Sequence, residues 1–364
     1  MLQVYDVQVP YNIDVACNGN REARRRHTIE KQIIARYKSF DSLINSETSN
    51  TTMFSTSDII TVRHSASGAS CRIHPFGATV MSYTDKSGRE TLFLSKLAKL
   101  DGSKAIRGGI PLVFPIFGPP TENGSTMPQH GYARQNNWTV KESSQHDSEE
   151  HAGIVMTLDL ANASAGRGTN NTWAPDQART DGTDCRLLLD VKVDATSLTT
   201  TLQIQNTGTD AFTFNCLQHT YFKVEDKAAQ TAEQCFVKGL DGYSLVDKVD
   251  SNNNGQVVPK DQAITLSGEV DRVYTHPEGK QFVQVTIGVG DNKTVKMEAF
   301  GEVADAPVPV SCVVWNPSVD KAKSMSDFGD DQYQEMICVE PGLLGHQPVL
   351  PPGKEARFTQ IIYS

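Results

Sequence analysis

The chain has 364 residues, of which 38% are hydrophobic and 21% charged, and a formal net charge of −9 at pH 7. This is globular composition, long enough to bury a sizeable core without disulfides or metals, and it excludes a disordered low-complexity chain. The acidic balance excludes general nucleic-acid binding, which needs a basic face, whereas one or two local arginines suffice to hold a small anion.

Residues 1–50 read as an N-terminal extension, helical or disordered. Ile29, Ile33, Tyr37 and Ile44 fall near one side of a helix that Arg24, Arg25 and Arg26 precede. Glu22, Glu30 and Asp41 spoil the acid-poor pattern of a mitochondrial presequence, although an organellar address stays open. From about Ser55 the pattern has period two. "TVMSYTDKSGRETLFLS" predicts a hairpin turning at Ser87-Gly88, while "SSQHDSEEHAG" and residues 161–183 read as long surface loops. "CRLLLDVKVD" puts Leu187, Leu189, Val191 and Val193 on one face, and "SLTTTLQIQN" does the same with Leu198, Leu202 and Ile204. "FVQVTIGVGDNKTVKMEAF" alternates Val283, Val285, Ile287 and Val289, turns at Gly290-Asp291-Asn292, and returns through Val295, Met297 and Ala299.

Short alternating runs, punctuated by Gly, Asn, Asp and Pro and not interleaved with helical patterns, predict an all-β fold. We expect an antiparallel β-sandwich with few short helices, in one domain over residues 51–364. Seven cysteines without a C-x-x-C pair read as free buried thiols in a reducing compartment. No apolar run reaches membrane-spanning length, so a cytoplasmic chain with neither membrane nor nucleic-acid partners is expected.

Polar chemistry concentrates in four places. In "SKAIRGGIPLVFPIFGPP", Arg107 precedes Gly108 and Gly109; the pair is either an anion cradle open to a ligand or a tight turn with a solvated arginine. "MPQHGYARQNNW" gathers Gln129, His130 and Arg134 in one loop, where imidazole and guanidinium could grip a polar anion. In "FNCLQHTYFKV", His219 follows an apolar strand and precedes Tyr221 and Phe222, which fits either a partly desolvated imidazole or a packed histidine. In "QEMICVEPGLLGH" an apolar run ends in Glu340, either a general base or an acid opening a turn.

In this order, "KLDGSKAIRGGIPLVFPIFG", "PQHGYAR", "QHTYFKV", "VVWNP" and "MICVEPG" resemble the glucose-6-phosphate 1-epimerase (hexose-6-phosphate mutarotase) family. That family is a branch of the aldose 1-epimerases with the galactose mutarotase-like β-supersandwich. The resemblance spans residues 55–364 and implies interconversion of the α and β anomers of a hexose 6-phosphate without cofactor or metal. One base and one acid suffice, since a hemiacetal opens when O1 loses a proton and the ring oxygen gains one. The resemblance assigns Glu340 as the base and His219 as the acid, ionised and protonated respectively at rest. It places Arg107 and Arg134 on the 6-phosphate, Gln129, His130 and Asp271 on the sugar, and Trp315 and Asn316 in the pocket wall. Residues 161–183 and "KMEAFGEVADAPVP" look divergent, and Tyr132 stands where the family often has leucine.

Two other readings keep the fold: a non-catalytic sugar-phosphate-binding or regulatory protein, and a mutarotase for unphosphorylated aldoses, which would gain little from two arginines. A metal centre of His130, His219 and Glu340 has no recognised ligand spacing. The chain is expected to act as a monomer on a hexose 6-phosphate.

Overall fold

A computed structural model describes residues 59–119, 127–159, 185–345 and 347–364. The expected extension over residues 1–50 and the expected loop over 161–183 lie outside the described residues. The rest is an antiparallel β-sandwich, as the period-two pattern requires. One sheet, with eleven strands among the described residues, runs through Phe282–Gly288, Thr294–Val303, Glu355–Tyr363, Ser197–Asn206, Cys185–Val193 and Ala152–Asp159 in that spatial order. The register pairs Val283 with Ala299 and Val285 with Met297, so the hairpin read from alternation is the one formed. Leu187, Leu189, Val191, Leu202 and Ile204 are all buried on the inner face.

The second large sheet carries the site. Its order is Ser244–Asp247, Val270–Thr275, Ser311–Asn316, Met336–Leu343, Cys216–Gln218 and Leu112–Val113, with Tyr221–Lys223 also laddered onto Met336–Leu343. Alternate residues of its central strands face opposite layers. Ile337, Val339, Cys312, Val314 and Cys216 join the large core shared with the eleven-stranded sheet. Met336, Cys338, Val313, Trp315 and Leu217 join Phe93, Tyr221 and Phe328 in a second apolar layer. Burial on both faces is why "MICV" reads as an unbroken apolar run rather than an alternating one.

Three local expectations change. The Ser87-Gly88 turn forms, but its hairpin closes only narrowly at Thr84 and Glu90. There the Glu90 carboxylate itself accepts the Tyr83 and Leu92 amides, and the return arm leaves to bridge Phe222 and Gly108. The "SSQHDSEEHAG" loop contains a short strand, His146–Asp147, paired with Ala152 and Gly153. "KMEAFGEVADAPVP" is regular: the Thr294–Val303 strand turns through Ala304 and Asp305, both left-handed, into Ala306–Val308. The six described cysteines are free and buried, as expected.

Candidate active site

The register of the second sheet lines up four residues from four strands. Asp271 pairs with Trp315, Trp315 with Cys338, and Cys338 with Tyr221, so their side chains form one row on one face. Glu340 lies two residues beyond Cys338 on that same face. It does not end the strand, as the sequence reading had it; it sits within Met336–Leu343 and is 1% exposed. The strand continues because Pro341 and Gly342 keep their places opposite Cys312 and Ser311.

His219 follows Cys216–Gln218 at a tight reversal in which the Thr220 amide donates to the Gln218 carbonyl at 2.9 Å. Its own amide donates to the Pro111 carbonyl. The flanking side chains point away into a fully buried polar net, where Gln218 bonds to Thr200 and Thr220 donates to Gln360. The imidazole stacks on Tyr221 with centroids 4.8 Å apart and meets Trp315 edge-on. Its Nδ1 lies 3.2 Å from Oε1 of Glu340, close but not aligned as a hydrogen bond, and Nδ1 has no other partner among the described residues.

This environment works against the expected resting charges. Burial, then His130, Arg134 and Arg107, push His219 well below the ordinary imidazole value. Burial and the nearby Asp271 push Glu340 well above the ordinary carboxylate value. Two charges in a desolvated pair are harder to hold than one shared proton with neither charge. Both shifts therefore favour the uncharged form of the pair over the charged one.

The loop of His130 and Arg134 borders the pair, with the His130 and His219 rings 5.9 Å apart. His130 adopts a left-handed backbone, φ 67°, and its Nδ1 accepts from the Gly118 amide, leaving the proton on Nε2. Burial and the cations Arg134, Lys248 and Arg107 push its pKa down to about 2, so it is a neutral donor. Gln129 is exposed, its amide nitrogen 3.4 Å from that Nε2. Arg134 donates from Nη2 to the Gln129 carbonyl, while its buried Nε has no partner among the described residues. Burial and Arg107 push Arg134 down to about 10, still a cation at neutral pH. Tyr132 and Ala133 between them are core residues, Tyr132 packing edge-on to Phe114.

Arg107 donates to the Tyr221 hydroxyl at 3.1 Å and to Oδ2 of Asp327 at 3.3 Å, an oxygen that Lys104 also reaches at 3.1 Å. Burial alone would raise Asp327, but Arg107 and Lys104 hold it below the ordinary carboxylate value. The glycines after Arg107 are not an open cradle. The Gly109 amide already donates to the Phe93 carbonyl, and a Cβ there would stand 2.2 Å from the Val80 oxygen. They let backbone segments close on one another behind the arginine.

Asp271 lies opposite, with Lys248 Nζ 3.6 Å from its Oδ1 and 4.2 Å above the Phe117 ring. All seven nominated residues therefore fall in one cluster, linked by contacts or by their charges. Sequence reading missed Lys248 and Asp327, which come from stretches without a motif, and it did not separate Lys104, Phe117 or Tyr221 from their neighbours. Asn316 is no wall residue: it is fully buried and ties the Tyr333 and Met336 carbonyls and the Ser318 amide together. A separate cavity of about 440 Å³ is lined by Arg72, Glu90, Lys223, Lys227 and Gln332 among others, and none of the nominated residues lies in it.

The aldose 1-epimerase family model matches residues 58–363. The chain belongs to the aldose 1-epimerase family. Two relatives carry the name "putative glucose-6-phosphate 1-epimerase". One, from Cenchrus ciliaris, is 32% identical over 81% of this chain and 82% of its own length. The other, from Escherichia coli, is 30% identical over 84% of this chain and 90% of its own. The crystal structure of a Salmonella typhimurium protein titled a putative mutarotase superposes with a TM-score of 0.65 at 23% identity, covering 91% of this chain and 98% of that one. A galactose mutarotase-like protein of Clostridium acetobutylicum superposes at 0.53 and 16% identity, covering 85% and 97%. These structures establish the fold as galactose mutarotase-like, and the family is one of isomerases acting on sugar anomers.

Proposed function

We propose that this aldose 1-epimerase family member interconverts the α and β anomers of hexose 6-phosphates, with Glu340 as base and His219 as acid. The observation that carries this reading is the 3.2 Å approach of Nδ1 to Oε1 in a buried pair with Arg107 and Arg134 as its charged neighbours. The names of the Cenchrus and E. coli relatives point to the same substrate class.

The pair needs one proton in all. A bound sugar donates from its O1 hydroxyl to the Glu340 carboxylate and accepts at its ring oxygen from the protonated His219, which favours the charged tautomer. Ring opening moves the O1 proton to Glu340 and the His219 proton to the ring oxygen. Both protein charges vanish in that step, so burial, which disfavours the charged pair, favours the uphill opening. Rotation about C1–C2 and the reverse transfers close the ring on the other face. Positioned acid–base transfer of this kind contributes about 10²–10⁴-fold.

Arg134, with an unpartnered buried Nε, and Arg107 with its neighbour Lys104 would hold the 6-phosphate. His130, Gln129 and Asp271 would orient the hydroxyls. The reaction needs one chain, no cofactor and a diffusible sugar phosphate, which fits a monomer acting in the cytoplasm.

Exchange NMR between the anomers of glucose 6-phosphate, with and without protein, tests this reading. Acceleration for the phosphorylated sugar well above that for free glucose is expected. Equal acceleration of both would assign the site to neutral aldoses, and exchange at the uncatalysed rate would leave a binding protein.

A further inference from the structure

The pocket floor holds a group that proton transfer does not use, the Cys338 thiol. It lies in the same row as Tyr221 and Trp315, fully buried, two residues before Glu340. Its sulfur, a ring nitrogen of His219 and a carboxylate oxygen of Glu340 all lie within 4.8 Å of one another. Thiolate, imidazole and carboxylate are the donor set of tetrahedral zinc, with bonds of roughly 2.0–2.3 Å that bring donors to about 3.5 Å apart. Side-chain adjustments of about an ångström close the trio around an ion. A second observation points the same way: the buried Nδ1 of His219 faces Glu340 with no hydrogen-bond partner.

We propose that Cys338, His219 and Glu340 form a binding site for a thiophilic divalent cation of the zinc class. Occupancy would inhibit the enzyme, because the ion takes both proton-transferring groups; this last consequence rests on the proposed function, whereas the binding does not. Two anionic ligands balance the dication, which answers the opposing charges of Arg134 and Lys248. Binding releases the Cys338 proton, and that of Glu340 where present, to solvent. A thiolate sulfur beside an imidazole nitrogen selects zinc and cobalt over magnesium and calcium, which prefer oxygen donors.

Cobalt(II) titration of the full chain tests the site, since tetrahedral thiolate-bound cobalt absorbs by sulfur-to-metal charge transfer. One equivalent should bind with that band, zinc should displace it, and magnesium should not. Cys338→Ser should abolish the band and weaken binding by at least about tenfold, and Glu340→Gln should weaken it comparably. No charge-transfer band at saturating cobalt would overturn the proposal. So would a band that survives Cys338→Ser, which would belong to another cysteine. Should Cys338→Ser fail to fold by circular dichroism, unchanged cobalt affinity in Glu340→Gln and His219→Asn would overturn it equally. Zinc inhibition competitive with glucose 6-phosphate is expected; cobalt binding without any mutarotation would remove the proposed function and leave the metal site standing.

Discussion

Burial raises the Glu340 carboxyl well above its ordinary range, and this has a consequence for stability as well as rate. In the unfolded chain the carboxyl ionises above its ordinary pKa; in the folded chain burial and Asp271 raise that pKa. Between those two values the folded state binds more protons, so stability falls as pH rises. Glu340→Gln keeps the shape and removes that dependence. It should therefore raise stability at pH 7–8 by about 0.5–2 kcal/mol, with the gain gone by pH 4, while turnover falls about 10²–10⁴-fold. Thermal melts across pH beside anomer exchange would show both; a variant that loses stability at neutral pH would mean the carboxylate is ionised and paired at rest. The two arginines differ in the same physical terms. Arg107 is committed to Asp327 and Tyr221, so Arg107→Ala should cost about 1–3 kcal/mol of stability in addition to binding. Arg134 keeps an unpartnered Nε, so Arg134→Ala should leave stability within about 1 kcal/mol and raise KM for the phosphorylated sugar roughly 10–100-fold. Denaturant melts and KM for glucose 6-phosphate separate the two; matching stability losses would contradict the division.

At the scale of elements, what the sequence disclosed and what it hid have one cause. Val283, Leu187 and Ile204 lie on strands with one wet face, so alternation revealed both strand and register. "MICVEPG" is dry on both faces, so alternation vanished, and Glu340 passed for the end of a strand it in fact lies inside. His219, Glu340, Arg107 and Arg134 were legible because each sits in a motif shared with a known family. Lys248 and Asp327 reach the site only because pairing brings distant strands and loops together, and no local pattern in "LVDKVD" or "MSDFGD" records that. "IRGGIP" was legible as a special backbone but not for its purpose. Gly109, at φ 66°, supports the main chain behind the site. Gly109→Ala should cost about 3–5 kcal/mol, from left-handed strain plus the collision with Val80. Urea midpoints would measure it, and a cost under 1 kcal/mol would show that the turn can relax.

For the molecule as a whole, the division of labour is between a two-sheet scaffold and a rim. The eleven-stranded sheet contributes none of the nominated site residues; it buries the back of the seven-stranded sheet, whose row of Asp271, Trp315, Cys338 and Tyr221 forms the pocket floor. Arg107, Gln129, His130 and Arg134 come from the connecting segments that stand over that floor. Enzymes often place chemistry on their least stable parts, where backbone opening admits the substrate. Here the order is inverted. The amides around Glu340 belong to a central strand laddered on both sides and covered on both faces, so hydrogen–deuterium exchange should be slowest there and faster around Gln129–Arg134. The proton-transfer pair would then be timed by side-chain rotation and by the sugar's own ring, with the backbone beneath it behaving as a fixed electrode that the reaction charges and discharges.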